Sequence, residues 1–229
     1  MRPSDNPPTA SGADVLVADE ISSLLSPYHP PLTEHALRQL GIYLSLLLKW
    51  NGRMSLTAIK DPPRIVRDLF GESFYLATIL QTATLTGSVV DVGAGAGFPG
   101  LALKLVAPEI SVILVESNKR KCTFLKEVIR ACDLTGVEVV ADRFESWVGA
   151  GGRADLVLSR AVRPDAELFA AVKRCLGNKG QWAFFSTTDV VEKAQRDVFA
   201  DENTQVFPIP RSSKRVILLG KNALTSSKC

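Results

Sequence analysis

The chain of 229 residues is 46% apolar and 22% charged, a balance that predicts a folded globular protein and excludes a disordered one. Its longest apolar stretch, Ile42 to Leu48, falls far short of the roughly 20 residues of a membrane span, which excludes a transmembrane helix. A net charge of +3 is too small by itself to diagnose a polyanionic partner, so such a partner must be read from how charge is distributed.

Residues 1–12 are dominated by proline and small polar side chains and predict a flexible tail. The absence of a basic-then-apolar leader there predicts a cytoplasmic protein. From Asp14 the pattern turns helical, predicting an extension over residues 13–82 packed on the core that follows. Thr33 can cap a helix whose Leu37, Leu40, Leu44, Leu47 and Leu48 recur at spacings of three and four, with Asn51-Gly52 as its stop. Trp50 is expected to pack that helix end and Asn51 to cap its carbonyls. Asp61 before Pro62 reads as the cap and first turn of another helix reaching about Leu80.

After Gly87 the texture changes to short β-branched runs, SVVDV, ISVILVE, VEVVA, DLVLS, QWAFF and RVILL, separated by helical stretches. Strands alternating with helices predict an α/β core over residues 83–220 with a mostly parallel sheet wound on both faces, followed by a basic tail over 221–229. Residues Val89 to Gly100 read VVDVGAGAGFPG, a buried strand running into Gly93, Gly95, Gly97 and Gly100 and then into a helix. Glycines there let the backbone turn sharply and approach a nucleotide-type ligand. The string from Gly95 also satisfies G-x-G-x-x-G, so the loop alone leaves a nicotinamide cofactor and S-adenosylmethionine both open. Asp91 at the strand end favours the second, because a carboxylate opposes a pyrophosphate but can receive an ammonium group. Glu116 ends the next strand, where its two oxygens can accept from the ribose hydroxyls of either cofactor.

Basic residues cluster at Lys119, Arg120 and Lys121 and again at Arg211, Lys214 and Arg215. Such clusters suit an RNA surface, although a solvated helix face has the same composition. The four cysteines, Cys122, Cys132, Cys175 and Cys229, form no C-x-x-C pair and read as three buried thiols and a tail thiol. His29 and His35 lie far from them in sequence, so no metal site is expected.

The motif DVGAGAGFPGLALK, preceded by KWNGRMSLTAI and followed by SRA at Ser159 to Ala161, resembles the bacterial glucose-inhibited division protein B family, also called RsmG. The resemblance runs from about Thr33 to Thr187. It implies a Rossmann-like class I S-adenosylmethionine-dependent methyltransferase fold with a seven-stranded sheet. The implied activity is methylation of guanine N7 in 16S ribosomal RNA. It also implies that Gly93 and Phe98 contact the cofactor, that Glu116 holds its ribose, that Phe144 and Glu145 lie by the adenine, and that Arg160 closes the site. Family members often carry an Arg-His pair before the segment that here reads LFGESFYLA, whereas this chain has Arg67, Asp68 and Leu69.

Guanine N7 presents a lone pair and no proton, so in-line attack on a methyl sulfonium needs alignment rather than a general base, and no catalytic residue is assigned. Ser159 and Arg163 remain candidates for positioning the base. The expected partner is small-subunit ribosomal RNA or the small ribosomal subunit, met by a monomer without metal or membrane. Competing readings are a small-molecule methyltransferase, which the same fold hosts, a noncatalytic RNA-binding module, and an NAD-dependent oxidoreductase for which no catalytic tyrosine-lysine or histidine group is identifiable.

Overall fold

Seven strands form one sheet in the order β3-β2-β1-β4-β5-β7-β6, parallel throughout except for β7, which runs antiparallel to both its neighbours. The strands are β1 (Ser88–Val92), β2 (Ser111–Val115), β3 (Val137–Val140), β4 (Ala154–Arg160), β5 (Leu176–Thr187), β6 (Gln205–Pro208) and β7 (Arg215–Lys221). This computed structural model describes residues 16–80, 87–160, 165–190 and 204–222. The expected tail at 1–12, Arg163, Cys229 and residues 223–229 of the expected basic tail lie outside the described residues.

Six strands arise where β-branched runs were expected, and the seventh, β6, comes from QVFP at the sheet edge. The chain winds outward from β1 in both directions, so β1 and β4 flank the point where connections reverse. In open α/β sheets, ligands bind in the crevice beyond the strand ends at such a point.

Helices α5 (Gly100–Val106), α6 (Lys119–Ala131), α7 (Phe144–Gly149) and α8 (Ala166–Cys175) connect the strands. The amphipathic α6 starts where the Asn118 side chain accepts from the amides of Arg120 and Lys121, and it buries Cys122, Phe124, Leu125 and Val128. One sheet face packs Val90, Val92 and Val157 against Phe169 and Val172 of α8. The opposite face, with Val89, Leu158 and Ile217, shares a single core with the N-terminal helices through Leu40, Tyr43, Phe70 and Phe74.

Those helices are α1 (Ala18–Leu25), α2 (Glu34–Asn51), α3 (Pro62–Ile65) and α4 (Glu72–Leu80). Thr33 caps α2 by accepting from the Ala36 amide at 3.2 Å, and Asp61 caps α3 by accepting from the Arg64 amide at 3.0 Å. The helix expected from Asp61 to Leu80 does run through, but residues Val66–Gly71 between α3 and α4 are π-helical. Such a turn carries one extra residue and is frequent at functional sites.

Trp50 ties α2 to α6, donating to the Glu127 carboxylate at 3.0 Å and meeting the Phe124 ring edge-on. Asn51 departs from the expected role. Its side-chain oxygen accepts from the amides of Leu56 and Thr57 at 2.9 and 3.0 Å, so it folds the loop that follows rather than capping carbonyls behind it. Cys122, Cys132 and Cys175 are buried free thiols. Among the described residues, no helix is long and apolar enough to cross a membrane, and no three His, Cys, Asp or Glu side chains converge as metal ligands.

Candidate functional site

The loop after β1 is built from conformations that only glycine adopts without strain, with φ of +66° at Gly93, +56° at Gly95 and +89° at Gly97. The amides of Gly93 and Ala94 both donate to the Val115 carbonyl of β2, at 2.9 and 3.1 Å, so the loop leans over the neighbouring strand end. Glu116, 6% exposed, secures that position. One of its carboxylate oxygens accepts from the Gly95 amide at 2.9 Å and the other from the Asn118 amide at 2.8 Å. Each oxygen has a second lone pair that these bonds leave unused.

Asp91 is fully buried beneath the loop. Its Oδ2 accepts from the Gly100 amide at 2.8 Å, while Oδ1 has no hydrogen-bond partner among the described residues. Burial pushes its carboxyl up to about 7, against the opposing pull of the Gly100 bond and of Arg160.

The N-terminal helices also reach this loop. The buried Tyr43 hydroxyl of α2 donates to the Ala96 carbonyl, and its ring stacks on Phe98 at 5.3 Å with Phe70 edge-on to Phe98 at 4.9 Å. Phe98, 6% exposed, is therefore a member of this aromatic stack. The geometry gives Tyr43→Phe a defined outcome. Losing the hydroxyl orphans a buried carbonyl, so the variant is expected to lose about 1–3 kcal/mol of stability in urea unfolding and to bind nucleoside cofactor more weakly by calorimetry. Unchanged values in both measurements would separate Tyr43 from the loop.

At the end of β4, Ser159 and Arg160 point to opposite faces of the sheet. Ser159 is buried and its hydroxyl has no partner among the described residues. Arg160 turns toward the N-terminal helices, where Nη2 donates to Glu72 Oε2 and to the Asp68 carbonyl, both at 2.6 Å, and its guanidinium lies 4.9 Å from the Phe185 ring centre. Glu72, 1% exposed, also meets Arg215 Nη1 at 2.7 Å. Burial raises the Glu72 carboxyl above its ordinary range, and Arg160 and Arg215 pull it back. Asp68, 4% exposed, lies within 3.1 Å of Arg67, 3.4 Å of Arg215 and 3.6 Å of Arg64.

A model of the family described as GidB, rRNA small subunit methyltransferase G, matches residues 36–213. The chain belongs to the GidB family. Its relatives include the ribosomal RNA small subunit methyltransferase G of Chloroflexus aggregans, 36% identical over 220 residues and aligned over 86% of this chain and 87% of that protein. The protein of that name from Dichelobacter nodosus is 34% identical, over 79% of this chain and 83% of that one. Among solved structures, the E81Q mutant of MtNAS superposes with a TM-score of 0.55 at 16% identity, over 82% of this chain and 74% of that one. Precorrin-6y C5,15-methyltransferase from Geobacter metallireducens gives 0.52 at 16% identity, over 63% and 86%. At such identities the likeness is one of fold alone, a mostly parallel sheet with helices.

For this GidB chain, the glycine loop, Asp91, Glu116, Ser159 and Arg160 gather at one edge of the sheet, around the ends of β1, β2 and β4. Phe144 and Glu145 open α7 beyond β3. Phe144 is buried and stacks on Trp147 at 6.1 Å, and Glu145 is half-buried. Lys119 and Arg120 are exposed at the start of α6, with Lys121 half-buried; Arg211 and Lys214 are exposed before β7. Arg215, expected with them on an RNA surface, turns instead to the buried acids. Sequence reasoning missed Tyr43, Asp68 and Glu72. The signal for Glu72 was a lone acid in the apolar helix LFGESFYLATIL, which is buried only with a counter-charge.

Proposed function

We propose that this GidB protein transfers a methyl group from S-adenosylmethionine to N7 of a guanine in small-subunit ribosomal RNA. Its membership of the family over residues 36–213 carries the proposal. The residues of the loop fit the cofactor. The unpartnered Oδ1 of Asp91 suits the methionyl ammonium, and the spare lone pairs of Glu116 suit the two ribose hydroxyls. When bound, the cofactor supplies an electrophilic methyl group on sulfonium.

Because guanine N7 needs no deprotonation, the protein's own task is alignment. Ser159, at the end of β4, would orient the base with its unpartnered hydroxyl, and Arg160, held by Glu72, would close the pocket wall. Phe144 and Glu145 would border the adenine from the start of α7. Incubation with labelled S-adenosylmethionine and small subunits lacking the modification is expected to place label on N7-methylguanine at one mapped nucleotide. Transfer only to small molecules would reject the reading.

A further inference from the structure

The acids of the N-terminal helices are outnumbered where they meet the sheet. Arg64, Arg67, Arg160 and Arg215 surround two buried carboxylates, Asp68 and Glu72, which leaves a surplus of positive charge at this junction. The surplus is not shared evenly. Arg160 and Arg215 are committed to Glu72 at 2.6 and 2.7 Å, whereas Arg64 and Arg67 touch only Asp68, each through Nε. Their Nη groups have no protein partner among the described residues, and the two side chains are 57% and 33% exposed. Arg67, hydrogen-bonded through Nε to Asp68 at 3.1 Å, keeps its outer N–H pair in fixed orientation, the geometry that receives two oxygens of one phosphate, and Arg64, held only by charge at 3.6 Å, adds a second cation beside it.

Asp68 also contacts Arg215, which joins this pair to the turn before β7. There Ser212 Oγ accepts from the amides of Lys214 and Arg215, and the flanking side chains of Arg211 and Lys214 are exposed. We infer that Arg64 and Arg67 on the N-terminal helices and Arg211 and Lys214 on the β6–β7 turn form one phosphate-binding strip for the RNA backbone, clamped by Asp68 and Arg215. The strip lies beside Arg160, so RNA held on it approaches the sheet edge that carries the glycine loop. The inference rests on the proposed RNA substrate and adds which surface receives it. It gives the π-helical turn a role, since Arg67 and Asp68 both lie on it.

The test measures binding of wild type and of an Arg64→Gln/Arg67→Gln variant to small subunits lacking the modification, between 50 and about 300 mM KCl, a range over which phosphate contacts dominate the salt response. Methyl transfer by the wild type is followed in the same preparation. The variant is expected to bind about tenfold or more weakly at low salt, with a log–log salt slope shallower by about 1–2, while its affinity for S-adenosylhomocysteine, measured well below its own melting temperature, stays at the wild-type value. Arg211→Gln/Lys214→Gln is expected to do the same. Unchanged affinity and slope in the first variant, with wild-type transfer intact, would overturn the strip and leave the proposed function standing. Weaker RNA binding accompanied by equal loss of cofactor affinity would also overturn it, by showing that the arginines only support the fold. No wild-type binding or transfer would remove both readings.

Discussion

Replacing Glu72 by Ala is expected to lower the unfolding free energy by about 3–5 kcal/mol, the cost of leaving buried charge without its partner. Glu72 is 1% exposed and holds Arg160 at 2.6 Å and Arg215 at 2.7 Å, so its removal strands the buried Arg160 without a carboxylate and leaves Arg215 with Asp68 alone. An exposed ion pair would be worth a fraction of this. Urea unfolding with an unchanged m-value measures the loss directly. The double variant Glu72→Met/Arg160→Met is expected to be more stable than Glu72→Ala alone, because it removes the orphaned charge with its partner and refills the space. A loss below about 1 kcal/mol in Glu72→Ala would place the pair with surface ion pairs.

The same ion pairs show where sequence reading reaches its limit. A guanidinium just past the apolar run DLVLS is costly to bury alone, so Arg160 announced that it had a partner. The partner comes from 88 residues earlier in the chain, across a helix-to-sheet contact that no local pattern encodes. The strands were legible where β-branched runs are buried, as in SVVDV, and illegible at β6, where QVFP is short, largely exposed and ends in proline. The π-helical turn at Val66–Gly71 is hidden because this stretch is buried nearly all round, so it has no polar face whose shift would betray the extra residue. The glycine loop, Asp91 and Glu116 were readable as a set since each is fixed by its position relative to a strand end. The clamp of Tyr43 on that loop was not: in sequence, Tyr43 is one more member of the apolar stripe of α2.

Asp91 is expected to make cofactor affinity and fold stability respond to pH in opposite directions. Its carboxyl is pushed from 3.8 up to about 7 by burial, so between those values the folded chain holds a proton that the unfolded chain has lost. Stability therefore falls as pH rises from about 4 to about 7 and levels off above, a span of about 4 kcal/mol at 1.36 kcal/mol per unit. Asp91→Asn retains an acceptor for the Gly100 amide and removes the buried charge, so it is expected to be more stable than wild type at pH 8 and similar at pH 4. Binding runs the other way. An ammonium group at Oδ1 favours the carboxylate, so affinity for S-adenosylhomocysteine is expected to rise as pH increases through 7, with proton release visible in calorimetry as a dependence on buffer ionisation enthalpy. In Asp91→Asn that rise disappears and affinity at pH 8 falls about 30-fold, the lower range for truncating one partner of a buried charge pair. A variant both more stable and weaker in binding separates a ligand-facing carboxylate from one that merely props the loop. Loss of stability at pH 8 together with a retained pH rise in affinity would assign Asp91 to the loop alone.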